Sequence, residues 1–264
     1  MSITKAIIEK IFKSAGDISH EREMSFLDHL EELRRQIIKM IVGILIGTSV
    51  CIFFADFIVQ TILLNPLKAV GLKAQVLSPY GIVMLYMEAI LVCGVILSMP
   101  YSIYCLWKFV APGLLPKERQ YISWIVFFTS FCFFTGIVFG YYVLLPAALS
   151  FFSTFGTQNI ELHVALDQYV SFMLALLLGA GLVFELPMIS YFLSKMGILT
   201  PSFMRKYRRH AIVVILIIAA VVTPTPDMVT QTLLALPMFV LYEVSIFVSY
   251  AALKKKTQAA EHVS

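Results

Sequence analysis

The stretch HLEELRRQIIKMIVGIL, His29–Leu45, admits two opposite folds. Arg34-Arg35-Gln36-Ile37-Ile38-Lys39 has the order of an export signal: two arginines, a polar residue, two apolar residues and a lysine, then a hydrophobic run. A chain led by such a signal would cross once and release a soluble domain. A chain that keeps crossing would use the same charges as a membrane edge. The residues beyond Leu45 decide between them.

Six apolar blocks overlap or succeed the stretch: Ile37–Phe57, Ile82–Leu106, Tyr121–Leu145, Tyr169–Leu193, Ala211–Val222 and Leu233–Leu253. The 264 residues are 59% hydrophobic and only 14% charged, where a soluble domain carries about 25% charged residues. Most blocks reach the roughly 20 residues that cross about 30 Å of hydrocarbon. The fifth spans only about 18 Å at 1.5 Å per residue. The sixth carries Pro237 and Glu243, so its apolar length is also marginal. The expected fold is all-α: a polytopic membrane protein of six transmembrane helices with short fifth and sixth spans, the last two a hairpin. No secretory signal with a small-residue cleavage site is expected near Met1.

Charge sets the topology. Seven lysines and arginines precede or open the first block, three lie between blocks two and three, five between blocks four and five, and three in the tail. That puts 18 of 20 on one side, leaving Lys68 and Lys73 for the other. The positive-inside rule therefore places both termini in the cytoplasm.

Between the blocks, Ser25 begins a helix expected to run straight into the first span, with Glu31 spaced to pair with Arg34 or Arg35. Pro100 is expected to interrupt span two and Pro146 to end span three. Thr223–Asp227, with two prolines, makes the external turn of the last hairpin. Residues 1–23 are weakly amphipathic (Ile7, Ile8, Ile11 and Phe12) and suit a membrane surface or disorder. The expected organisation is an extension over 1–24, a membrane domain over 25–253 and a tail over 254–264.

Catalytic signatures are missing from the sequence. His29-Leu-Glu-Glu-Leu33 lacks the second histidine of a metalloprotease helix, and there is no Gly-x-Ser-x-Gly elbow or P-loop. The four cysteines, Cys51, Cys93, Cys105 and Cys132, lie in apolar blocks and suit packing. No cofactor, metal or enzymatic activity is expected. Glu88, Glu185 and Glu243 do stand out, because a charge at mid-membrane costs about 2.5–3.5 kcal/mol on insertion scales. Glu185 follows Gly179-Ala-Gly181 and precedes Pro187. It is either a polar contact or proton site, or a protonated carboxyl bonded to a neighbouring span. On the cytoplasmic side, Glu32 precedes span one and Glu118 lies between spans two and three.

His29-Leu-Glu-Glu-Leu-Arg34, Phe109-Val-Ala-Pro-Gly-Leu with Lys117-Glu118-Arg119, Phe184-Glu185-Leu-Pro187, and Thr223-Pro-x-Pro-Asp227 with Gln231-Thr-Leu-Leu-Ala-Leu-Pro237 together resemble the TatC family, the receptor subunit of the twin-arginine translocase. The resemblance runs from Ser25 to about Tyr250. It implies six spans, cytoplasmic termini and a cytoplasmic site for the paired arginines of a cargo signal peptide. Glu32, Arg34, Phe109 and Glu118 match that site. Glu185 matches the family's intramembrane glutamate, and Gln231, Pro66 and Asp227 match other family positions. The turn departs from some relatives in having Thr225 between its prolines. The resemblance further implies folded cargo, single-span partners resembling TatA and TatB, lipid and further copies of the chain as partners, and transport driven by the proton-motive force in a bacterial inner membrane.

Carboxylates suit the implied guest: arginine stays charged, and its rigid fork of donors is matched bidentately by a carboxylate but not by lysine's point charge. On this reading Glu32 is left for the guest while Glu31 pairs locally. The rival reading is a proton-coupled small-molecule transporter using Glu185, against which stands the lack of a clear inverted repeat.

Overall fold

Phe26 opens a helix, α1, that continues without a break to Phe53, as its register of apolar residues requires. The computed structural model describes residues 26–71, 73–111, 122–154, 163–222 and 228–261. Residues 1–23, Glu118 and the Thr223–Asp227 turn lie outside them. Among the described residues, α1 is followed by a π-helical turn, Ile58–Leu63, and a short helix, Asn65–Ala69. Strand β1, Lys73–Gln75, leads into α2, Gly81–Val110. Then come α3, Ile122–Phe139, a second π-helical turn, Gly140–Leu144, and α4, Leu145–Thr154. Strand β2, His163–Ala165, precedes α5, Leu166–Val183, and α6, Leu186–Lys195. A short helix, α7, Pro201–Lys206, joins these to α8, Arg208–Val222, and α9, Met228–Glu261.

Among the described residues, five stretches are long and apolar enough to cross a membrane: Leu27–Phe53, Gly81–Val110, Ile122–Ser153, Leu166–Lys195 and Gln231–Ala252. With α8, these are the six expected crossings. The fifth is short, its helix having 15 residues. The sixth is also short, 22 residues against 27 to 32 in the other four stretches, although the helix that carries it, α9, has 34 residues, passes through Pro237 and continues beyond Leu253.

Two other prolines also behave differently from expectation. Pro100 sits inside the unbroken α2. Lipid offers a freed backbone group no alternative partner, so the helix around a membrane proline is kept. Pro146 does not end span three. The π-helical turn before it places it in the first turn of α4, where its missing N–H costs nothing.

Glycines set the closest crossings. A Cβ on Gly94 of α2 would lie 2.6 Å from the Cα of Thr48, and one on Gly47 of α1 would lie 2.7 Å from the carbonyl oxygen of Gly94. Gly136 of α3 and Gly181 of α5 make a second such contact: a Cβ on Gly136 would lie 2.7 Å from the Ala180 carbonyl oxygen and 2.9 Å from the Cα of Gly181. Small residues are what allow helix backbones to meet in lipid, where no hydrophobic force drives them together.

The fourth crossing is the most enclosed. Val170, Met173, Leu174, Leu176 and Ala180 of α5 are almost fully buried. Tyr169 donates to the Leu63 carbonyl at 2.9 Å and Tyr141 to the Ile62 carbonyl at 3.0 Å. Both bonds end on the π-helical turn that closes span one, pinning it to spans three and four. On that same side, β1 and β2 pair in parallel, Lys73 opposite His163 and Gln75 opposite Ala165. A smaller core of Ile103, Trp107 and Phe192 lies towards the opposite end, with Trp107 edge-on to Phe192 at 4.2 Å.

Candidate functional site

Because α1 and α2 run antiparallel, the start of one meets the end of the other. There the His29 ring stacks on Phe109, centroids 4.4 Å apart and planes 22° apart. Glu32 lies three residues after His29, hence on the same face of α1. Its side chain is only 21% exposed. Arg35 approaches Oε2 at 3.7 Å while itself remaining 65% exposed. Gln36, buried at 1% exposure, donates its amide N–H to Glu32 Oε1. Arg34 is exposed. The structure thus brings Glu32 and Phe109 to one place through His29; Glu118, the fourth expected member, lies outside the described residues.

The local pairing differs from expectation. Helical spacing assigns an arginine to Glu31, yet Glu31 is exposed and forms no ion pair among the described residues. Arg35 goes instead to Glu32, one helical turn before it, whose carboxylate the buried Gln36 already holds. Neither His29 nor Gln36 is among the residues the sequence marks for this site. The signal for both lies in helical spacing, three before and four after Glu32.

The intramembrane acids have different fates. Glu185 sits in the break between α5 and α6, 6% exposed, and neither carboxylate oxygen has a hydrogen-bond partner among the described residues. The alternative of a carboxyl bonded to a neighbouring span is therefore not what the structure contains. A buried polar group left unpartnered calls for an explanation other than folding. Glu88 instead accepts a hydrogen bond from Ser171 Oγ at 2.7 Å, and Glu243 is paired with Arg208 at 2.5 Å.

Gln231 donates to the Leu216 carbonyl at 2.9 Å, tying α9 to α8. Beside it lies an apolar groove of about 280 Å³ lined by Ile212, Ile215, Leu216, Ala235 and Phe239 among others. Pro66 stands in the first turn of Asn65–Ala69; Asp227 lies outside the described residues. No group of three potential metal ligands occurs among the described residues.

Comparison with known proteins gives a consistent result. The profile of the family described as "Sec-independent protein translocase protein (TatC)" matches residues 28–237. The TatC protein of Carboxydothermus hydrogenoformans is 36% identical over 229 residues, 87% of this chain and 94% of its own. That of Helicobacter pylori is 38% identical over 221 residues, 84% of this chain and 85% of its own. The chloroplastic protein of Pisum sativum is 36% identical over 239 residues, 90% of this chain and 67% of its own. A crystal structure of the twin arginine translocase receptor TatC superposes with a TM-score of 0.78 at 32% identity, covering 85% of this chain and 99% of that one.

Proposed function

The chain belongs to the TatC family of Sec-independent protein translocases, and from that premise we propose that it reads twin-arginine signal peptides of folded cargo at the α1–α2 end of the molecule. The observation that carries this reading is the stacked His29–Phe109 pair, with the half-buried Glu32 one helical turn further along α1. Glu32 supplies an acceptor for a guanidinium, and the two rings supply a flat surface beside it. Glu118, from the loop between spans two and three, is the second acceptor, so each guest arginine meets its own carboxylate. Arg34 orients the acids by charge.

The domain over 25–253 acts as a receptor and scaffold, not an enzyme, in a bacterial inner membrane with both termini in the cytoplasm. Single-span partners resembling TatA and TatB meet it in the membrane, with Glu185 and the Gln231 region as polar contacts, and further copies of the chain join the complex. Pro66 and Asp227 shape the external turns. The proton-motive force drives transport.

Crosslinking in native membranes tests the site. Glu32→Ala and Glu118→Gln are expected to abolish crosslinking to a twin-arginine signal peptide, while the protein still inserts. Retention in both variants would remove the site assignment.

A further inference from the structure

Glu32 is an occupied acceptor. One oxygen takes the amide proton of Gln36 and the other faces Arg35. The two partners differ in kind. Gln36 is almost entirely buried, so its hold is shielded from water. Arg35 stands 3.7 Å off, beyond hydrogen-bond length, with most of its side chain in solvent. Such an exposed pair within one helix is weak and readily exchanged. Gln36 Oε1, moreover, is buried and without a partner among the described residues.

We propose that Arg35 is a resident stand-in for the guest arginine on Glu32, displaced when a signal peptide binds, and that Gln36 positions the carboxylate throughout the exchange. This rests on the reading of Glu32 given above. The guest guanidinium takes Glu32 Oε2 from Arg35. Its rigid fork has further donors, and Gln36 Oε1, without a partner among the described residues, is uncovered to accept one as Arg35 leaves. An ammonium presents no such fork, so the Glu32–Gln36 pair favours arginine over lysine. Arg35 swings into water, where its charge is screened. One of the chain's own paired arginines therefore occupies the reading site that other paired arginines enter.

The test uses the full-length protein in lipid nanodiscs and two fluorescent signal peptides, one with paired arginines and one with paired lysines. Gln36→Met, close in volume, is expected to weaken the arginine peptide about tenfold. The lysine peptide should change less, drawing the two affinities together. Arg35→Gln, at an exposed position, is expected to tighten the arginine peptide about two- to threefold. A silent Gln36→Met with unchanged discrimination, or a weakened Arg35→Gln, would overturn the proposal. Should Gln36→Met fail to fold, the sign of the Arg35→Gln effect decides. Glu32→Ala separates the two levels. If it leaves binding intact, the reading and this inference fall together. If it removes binding while both other variants are silent, only this inference falls.

Discussion

Glu185 shows how much a single residue's surroundings restrict its role. It is buried, sits at a helix break and has no partner for either oxygen among the described residues. A carboxyl kept there for folding would be hydrogen-bonded, because an unsatisfied buried group costs about 1–3 kcal/mol. Glu185→Leu is accordingly expected to leave thermal stability unchanged or to raise it, while transport of a reporter cargo is lost. A clear drop in the melting temperature of the purified variant would make the residue structural. Its candidacy is legible in the sequence, because an acid within an apolar run is conspicuous. Its lack of a partner is not, since that depends on which residues of spans three and four come to face it. Likewise Glu32 stands out by its motif, but Gln36 reads as a mere spacer until the helix is packed and its side chain is found enclosed.

At the scale of elements, the molecule depends on two kinds of joint: glycine crossings and tyrosines that cap distorted turns. The two should fail differently. Gly94→Ala drives a methyl against backbone atoms of Thr48 at 2.6 and 2.7 Å, and such overpacking costs about 1–3 kcal/mol. Tyr169→Phe removes one bond to the Leu63 carbonyl, worth about 1 kcal/mol. Thermal unfolding in detergent is expected to rank Gly94→Ala below Tyr169→Phe, and both below the parent. The reverse order would mean that α1 and α2 separate without cost. The apolar runs announce the spans. The π-helical turns, the uninterrupted course through Pro100 and Pro237, and the three-residue strands are not legible. Each depends on partners distant in sequence, and three residues carry too little periodicity to mark a strand.

For the whole molecule, the skewed charge predicts a single orientation. Single cysteines replacing Ala74 or Val164 in a cysteine-free background should react with an impermeant thiol reagent added outside intact cells. Cysteines at Arg205 or Arg209 should react only after the membrane is opened. Labelling of the second pair in intact cells would invert the topology. The charge count yields a definite expectation for orientation; the depth of the last hairpin has no such signal, because α9 extends past its apolar core. The two short strands also bear on how the molecule is built and what it can withstand. β1 leaves the membrane after the first crossing, but β2 arrives only after the third. Their pairing is thus a late clasp, fastened once most of the chain has been threaded. Thereafter it ties the connection between the first two helices to the one between the third and fourth crossings. A sideways parting of these helices is thus hindered at the clasp and easier at the opposite face, the one that holds Glu32.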